Sequence, residues 1–416
     1  MKTRNLIQLL ILFLLFSCEK KDIESEKSNN IFTLSVKPSY GEFYEKWVFI
    51  NDINGELLDF KQIELGEEFE FKSTLPVPND RINVTFFNYY NKGIYFDYNL
   101  RTFENLLRDS RWNLQGSSAL ERQEAGAKIG DLELEVDYYD DLRMEVLGNK
   151  DHTNTSITKL SGYPRRFIKW EIFENANDAF YSVLADGKLK YRFWEGLDSS
   201  QSFRLNLDDL EDFDKILSLN LPNVNDPRIN VKAYQSDGLE YFNIFNNYFQ
   251  VPPMGESKNY GNLQIGYLNR FPKYDTRISF SAGNYQFFYH KTGSVPEPFN
   301  VLDKVSYKIA AKPLPSFAIE TDIDHDWKEI NFILSDAELK KNILWSFFSP
   351  LNEFKPMKLP EEFLSKFPWI SLDKFSNTSV RFVKSSQSYE SMIENSSQVI
   401  ESNTEIDLET IQYTVE

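Results

Sequence analysis

Histidine and cysteine are scarce in this chain of 416 residues, which contains three histidines and one cysteine. Catalysis by a Ser-His-Asp or Cys-His system needs a base beside a nucleophile, and only His152, His290 and His325 can supply an imidazole. The G-x-S-x-G, P-loop, H-E-x-x-H and paired C-x-x-C motifs are also missing. We therefore expect no enzymatic activity. The alternative that stays open is a hydrolase whose acid pair is hidden among the 63 Asp and Glu residues.

Positive charge is scarce as well. The chain has 46 Lys and Arg against 63 Asp and Glu, which gives a formal net charge of −17 at pH 7. A surface this acidic repels phosphate backbones. Nucleic acid is therefore excluded as an expected partner.

Long apolar runs are missing except at the N-terminus, where Lys2 and Arg4 precede the apolar stretch Leu6 to Phe16. This stretch is far shorter than the roughly 20 residues that a membrane-spanning helix needs. A short positive start followed by a short apolar run is typical of an export signal that is later removed. We therefore predict a cleaved signal peptide over residues 1–17.

The residues Leu15-Phe16-Ser17-Cys18 resemble the lipobox of bacterial lipoproteins. The resemblance implies cleavage before Cys18, a diacylglycerol on its sulfur and a further acyl chain on its new amino group. Several acyl chains anchor a protein stably because each buried methylene contributes about 0.8 kcal/mol. The alternative is an unmodified cysteine inside a signal peptide that is shed.

The acidic, lysine-containing run Glu19 to Glu26 is similar to the surface-export tag of Bacteroidetes lipoproteins. We accordingly expect a tether over residues 18–30 and a lipid-anchored location in the cell envelope, at the outer membrane. The lipidated Cys18 would leave no thiol for a disulfide, so packed cores must stabilise the body of the chain.

Aromatic residues make up 15% of the chain, against a background of Asn, Ser, Thr, Ile and Val. This composition favours strands, and Asn54-Gly55, Asp186-Gly187 and Asp237-Gly238 lie between apolar runs as hairpin turns do. Few helices are expected; one begins at Leu359 in "LPEEFLSKF", where Pro is followed by two Glu. The predicted class is all-β, with tandem Ig-like or transthyretin-like Greek-key β-sandwiches and a few short helices.

Short signatures recur three times in the same order, which indicates three tandem units. Tryptophan strands occur at Lys46 to Ile50, Lys169 to Phe173 and Trp327 to Phe332, and "LPVPNDRINV" from Leu75 is repeated as "LPNVNDPRINV" from Leu221. We predict β-sandwich domains over residues 31–150, 151–303 and 304–416. The first domain is predicted to carry a helical insertion near residues 102–130, because Ser118 and Glu121 have capping-box spacing.

The densest acidic motif is "TDIDHDWKE", in which Asp322, Asp324 and Asp326 alternate. Calcium loops use this spacing because alternate carboxylates can converge on one cation. An EF-hand counted from Asp322 would need Gly and Glu where this chain has Trp327 and Ile333. The motif is thus a candidate calcium site, and the alternative is a solvated turn before the tryptophan strand. No other cofactor is expected.

Aromatic runs rich in Asn form a second candidate site. "FFNYYNKGIYFDYN" from Phe86 and "YFNIFNNYFQ" from Tyr241 offer flat rings for stacking on sugars together with amides for their hydroxyls. Tyr90, Tyr95 and Tyr248 are the candidate ligand-binding residues. "NYQFFYH", Asn284 to His290, is a similar strand. The alternative is core filling, because strand alternation turns half of these rings inward.

These observations favour a non-catalytic, lipid-anchored envelope protein with a binding or scaffold role. Its expected partners are the membrane, through the anchor, and an envelope protein or a glycan. A more specific alternative is an accessory glycan-binding surface lipoprotein, similar in layout to those of Bacteroidetes polysaccharide-uptake systems. The hydrolase with an unlocated acid pair is the third alternative.

Overall fold

The computed structural model describes residues 29–39, 45–89, 98–114, 126–137, 142–148, 156–158, 165–185, 187–222, 227–235, 241–246, 262–397 and 407–416. These residues form an all-β fold of several packed sheets with two short α-helices, so the predicted fold class is confirmed. The predicted signal peptide, Cys18 and nearly all of the tether lie outside the described residues.

Twenty-seven strands occur in the described residues. The first fourteen are β1 (Asn30–Val36), β2 (Glu45–Asp52), β3 (Leu57–Gln62), β4 (Glu68–Lys72), β5 (Arg81–Tyr89), β6 (Tyr98–Leu107), β7 (Ser110–Leu114), β8 (Lys128–Asp137), β9 (Leu142–Gly148), β10 (Ser156–Thr158), β11 (Arg165–Phe173), β12 (Ala179–Ala185), β13 (Lys188–Trp194) and β14 (Gln201–Leu205).

The later strands are β15 (Glu211–Asp212), β16 (Lys215–Asn220), β17 (Arg228–Tyr234), β18 (Tyr241–Asn246), β19 (Asn262–Tyr267), β20 (Lys273–Ala282), β21 (Tyr285–Gly293), β22 (Tyr307–Ala311), β23 (Ala318–Thr321), β24 (Trp327–Asp336), β25 (Lys341–Ser349), β26 (Ser376–Ser385) and β27 (Leu408–Val415). The helices are α1 (Glu361–Lys366) and α2 (Tyr389–Ser397), and single 3-10 turns are Pro78–Asp80, Leu207–Asp209, Leu314–Ser316 and Leu372–Lys374.

A twelve-stranded sheet, which we call the large sheet, organises the fold. Its strand order is β18-β17-β20-β21-β27-β26-β24-β25-β6-β5-β2-β3, and the β25–β6 pair is parallel. The smaller sheets are β4-β1-β7, β10-β11-β8-β14, β15-β13-β12-β9, β16-β19 and β22-β23.

Strand alternation gives the large sheet two different faces. One face is apolar along its length, and its side chains belong to a single core that includes Phe49 of β2, Trp345 of β25, Phe287 of β21 and Val231 of β17. The opposite face is apolar from β3 as far as Trp327 of β24 and Val383 of β26. There the sheet β4-β1-β7 and helix α2 cover it and form a second core. The remaining end of this face, over β17, β20, β21 and β27 and at Arg381 of β26, is polar apart from Phe288.

A third core lies between the sheets β10-β11-β8-β14 and β15-β13-β12-β9, with Trp170 and Tyr181 at its centre. In this sandwich β8 pairs antiparallel with β11 and parallel with β14. The same order occurs earlier, where β1 pairs antiparallel with β4 and parallel with β7. The chain therefore repeats a strand topology, in which β11 corresponds to β4. The recurring tryptophan signature instead predicts that β11, which contains Trp170, corresponds to β2, which contains Trp47.

The large sheet crosses the predicted domain boundaries. β27 from segment 304–416 pairs with β21 from segment 151–303, and β25 pairs with β6 from segment 31–150. β8, expected in the first domain, pairs instead with β11 of the second. The three predicted segments thus share sheets.

The described part of the segment 102–130, where a helical insertion is predicted, consists of strands and turns. Strands β6 and β7 extend over Thr102 to Leu107 and Ser110 to Leu114, and β8 begins at Lys128. The physical reason is the alternation of buried and exposed positions in this stretch, where Trp112 enters the second core. Residues 115–125, which hold the capping-box signal, lie outside the described residues.

Candidate binding site

An open cleft of about 600 Å³ lies on the polar end of the large sheet, and we call it the sheet-face cleft. Five strands contribute to it: β17, β20, β21, β27 and β26. Its lining residues are Arg228, Ser279, Phe280, Ser281, Gln286, Phe287, Phe288, Arg381, Gln412 and Thr414.

Strand register explains why these side chains meet. Residues directly opposite each other on paired strands lie on the same face of a sheet. One row across the strands is Arg228, Ser279, Phe288 and Gln412. The next row is Ser281, Gln286, Thr414 and Arg381. The intervening Phe280 and Phe287 are buried in the larger core, where their rings stack with centroids 4.8 Å apart.

The outward-facing part of the lining combines one ring with neutral polar groups. Phe288 is half-buried and lies between Ser279 and Gln412 of the neighbouring strands. Serine and threonine hydroxyls and glutamine amides can both donate and accept hydrogen bonds. The cleft therefore offers a flat apolar surface surrounded by groups that match a ligand rich in hydroxyls.

The charged groups of the lining are both cationic. Arg228 lies at the β17 side of the cleft and Arg381 at the β26 side. Nη1 of Arg381 donates a hydrogen bond of 2.8 Å to Oε2 of Glu329, and 41% of the arginine side chain stays exposed. None of the ten lining residues carries a carboxylate.

A charged cluster borders the cleft beside Phe288. Asp275 of β20 is only 8% exposed in its side chain and accepts two hydrogen bonds from Arg277, of 2.9 and 2.8 Å. Nε2 of His290 lies 3.1 Å from Oδ1 of Asp275, and the His290 ring lies 6.2 Å from the Phe288 ring. Burial raises the pKa of Asp275, but the hydrogen bonds from His290 and Arg277 outweigh it and hold that pKa below its usual value.

Two of the three predicted calcium ligands, Asp324 and Asp326, form ion pairs with Lys384. Nζ of Lys384 lies 3.1 Å from a carboxylate oxygen of Asp324 and 3.4 Å from one of Asp326. Oδ2 of Asp326 also accepts the backbone N–H of Ser385 at 2.8 Å, while the backbone N–H of Asp322 donates to the carbonyl of Ser306. Within the described ranges, no group of three or more His, Cys, Asp or Glu side chains is placed to hold a metal ion.

The predicted sugar-binding residues Tyr90, Tyr95 and Tyr248 lie outside the described residues. The neighbouring rings of their runs form core: Phe87 and Phe242 are fully buried, and Phe245 is nearly so. In the third aromatic strand, Tyr285, Phe287 and Tyr289 are buried in the core, whereas Phe288 lies on the outward face of the strand and lines the cleft together with the buried Phe287. The sequence predicts this strand, and the alternation of side chains along a strand places Phe288 on the face opposite to Phe287 and Tyr289.

The two histidines within the described residues have different partners. His290 belongs to the Asp275 cluster, whereas Nδ1 of His325 contacts the carbonyl of Ile323 at 2.7 Å. His152 lies outside the described residues. No local sequence signal points to Arg228, Arg381, Gln412 or Thr414, because these residues meet only through strand pairing between distant segments.

Among the helices of the described residues, none is both long enough and apolar enough to cross a membrane. No protein-family model matches the chain, and no curated protein does either. A solved structure concerned with host-cell surface retention of a bacterial ice-binding adhesin aligns with 79% of this chain and 98% of its own at 8% identity. Its TM-score of 0.12 is too low to indicate a shared fold.

Proposed function

We propose that the protein is a non-catalytic binding protein of the cell envelope, held at the outer membrane by lipids on Cys18. The anchor is supported by the lipobox resemblance of Leu15 to Cys18 and by the short apolar run before it. The binding role is supported by one structural observation, the open sheet-face cleft. Ligand sites are commonly concave surfaces with an apolar part and a few placed polar groups, and the cleft has this composition.

The proposed ligand is a glycan. Phe288 occupies an outward position on a strand face that is otherwise polar, where it adds nothing to the core of the sheet. A ring in this position can stack on the C–H face of a sugar, while Gln286 and Gln412 beside it bond the hydroxyls. This arrangement favours the glycan-binding alternative over a scaffold that holds only protein.

The absence of a carboxylate from the lining supports a binding rather than a hydrolytic role. A glycosidase uses two carboxyl groups about 5 to 9.5 Å apart. Two carboxylates on the same face of the sheet, Asp275 and Glu329, are each hydrogen-bonded to an arginine. A hydrolytic function is the third alternative, and assays for hydrolysis of any glycan that binds will test it.

The experiment is a polysaccharide array probed with the full chain in detergent micelles. Phe288→Ala removes the half-buried ring on the outward face of the cleft. Phe167→Ala, which removes an exposed ring on β11, is the control. We expect specific binding that is lost in Phe288→Ala and kept in Phe167→Ala. Binding that both variants keep would contradict the assignment of the cleft, and a blank array with folded protein would contradict glycan binding.

A further inference from the structure

We infer, building on the proposed glycan binding, that the sheet-face cleft selects an acidic polysaccharide that runs across the strands. The inference rests on three features: the charged residues of the lining, the distance between its two arginines, and the hydrogen bonds that arginines make to the carboxylates beside it. Each feature concerns residues of the large sheet that the strand register places on one face.

The charged residues of the lining are opposite in sign to the net charge of the chain. The whole chain has a formal charge of −17, whereas the charged residues among the ten that line the cleft are Arg228 and Arg381, and Arg381 is hydrogen-bonded to Glu329. Guanidinium groups match carboxylates and related oxyanions because their planar N–H groups donate in parallel pairs. Guanidinium groups at both ends of a lining that has no carboxylate of its own therefore favour an anionic ligand over a neutral one in this cleft.

The separation of the two arginines indicates an extended ligand. Arg228 on β17 and Arg381 on β26 are four strand spacings apart in the sheet order. At about 4.8 Å per spacing, this places their backbones about 19 Å apart across the sheet. One monosaccharide cannot contact both ends, whereas a polymer with a charge on successive sugars can. Such a chain would cross Phe288 and Gln412 between the two arginines.

The two carboxylates identified at the border of the cleft, Asp275 and Glu329, are each hydrogen-bonded to an arginine. Arg277 binds Asp275 with two hydrogen bonds, and His290 contacts the same carboxylate. Arg381 binds Glu329, whose side chain is 13% exposed, and this contact also positions the guanidinium at the edge of the cleft. Repulsion of an anionic ligand by these two carboxylates is thereby reduced.

The test uses the full chain in detergent and two forms of one polymer, polygalacturonate and its methyl ester, which share a backbone and differ in charge. Dextran sulfate and dextran form a second pair that separates sulfate from carboxylate recognition. We expect at least tenfold tighter binding of an acidic form than of its neutral partner. Arg228→Gln should remove that preference, because a hydrogen bond to a charged group is lost.

The controls separate this inference from the proposed function. Arg111→Gln, on the exposed strand position of β7, is the matched arginine control and should keep the preference. Equal binding of charged and neutral forms, lost in Phe288→Ala, would overturn the acidic selectivity and leave glycan binding in place. No binding of any polysaccharide by folded protein would overturn both. Equally tight binding of double-stranded DNA would show attraction of any polyanion and overturn the inference.

Discussion

Phe288 of β21 lies directly opposite Ser279 of β20, and both residues line the cleft on the polar end of the large sheet. The half-buried ring is thus the aromatic member of a row that runs from Arg228 to Gln412. Its neighbours along the strand, Phe287 and Tyr289, are buried. Because Phe288 is half-buried while its neighbours are buried, a substitution of Phe288 tests the proposed function with little disturbance of the core.

Truncation of Phe288 to Ala should weaken glycan binding more than tenfold. Removing a central aromatic residue of a binding surface costs about 2 kcal/mol or more. The thermal stability of the variant should change little, because the ring is half-buried on a polar face. Isothermal titration and a melting curve measure the two effects. A large fall in melting temperature with unchanged affinity would mean that Phe288 serves packing.

The second prediction concerns buried Glu104 of β6, which is 2% exposed. Burial raises its pKa to about 7, while a hydrogen bond from Ser349 and the charge of Lys328 act in the opposite direction. When the pKa of a carboxyl group is higher in the folded state than in the unfolded state, the free energy of unfolding falls as pH rises, because the group ionises more readily in the unfolded chain. The loss begins near the ordinary pKa of 4.5 and is complete above about 7.

In Glu104→Gln, the free energy of unfolding should therefore no longer fall by a pH-dependent amount on the order of 3 kcal/mol, since one pKa unit corresponds to about 1.4 kcal/mol. Chemical denaturation of both proteins between pH 4 and pH 8 measures the difference. Glu353→Gln, at an exposed position, is the control and should keep the parental profile. Parallel profiles for the parent and Glu104→Gln would show that Glu104 ionises alike in the folded and unfolded chain.

Calcium should not raise the melting temperature of the parent protein. Lys384 already lies beside Asp324 and Asp326, and hydrogen bonds to these carboxylates raise the pKa of its ammonium group. Differential scanning calorimetry with and without calcium is the measurement. A calcium-dependent rise that disappears in Asp324→Ala would instead support the calcium site predicted from Asp322, Asp324 and Asp326.

Residues 304–416 should not fold as an isolated fragment. In the full chain β27 pairs with β21 and β25 pairs with β6, where Nε1 of Trp345 donates to Oγ1 of Thr102 at 2.8 Å. Excision would expose Trp345 and leave two strand edges unpaired. We expect circular dichroism and hydrogen exchange to show an unfolded fragment. A cooperative melt of the fragment would support the independent third domain predicted from sequence.

Local rules were sufficient for local elements. Gly55 with its φ of +86° forms the turn between β2 and β3, as the Asn54-Gly55 pair predicts. Helix α1 begins at Glu361, immediately after Pro360, within the predicted "LPEEFLSKF" segment. Both signals depend on the intrinsic conformational preferences of a few adjacent residues, and the all-β class follows from composition in the same way.

Sequence reasoning could not assemble the cleft, because its residues are distant in the chain. Gln412 lies beside Phe288 only because β27 pairs with β21, and Arg381 lies beside Thr414 only because β26 pairs with β27. No local signal specifies which of many similar strands will pair. The sequence from Asn284 predicts the aromatic strand, but the polar groups around Phe288 come from other strands and depend on tertiary pairing.

The most direct measurement is a crystal structure of the full chain with an acidic oligosaccharide from the preferred polymer. The account predicts a sugar ring stacked on Phe288, hydroxyls bonded by Gln286 or Gln412, and acidic groups at Arg228 and Arg381. A sugar bound on another surface, with the sheet-face cleft unoccupied, would contradict the account.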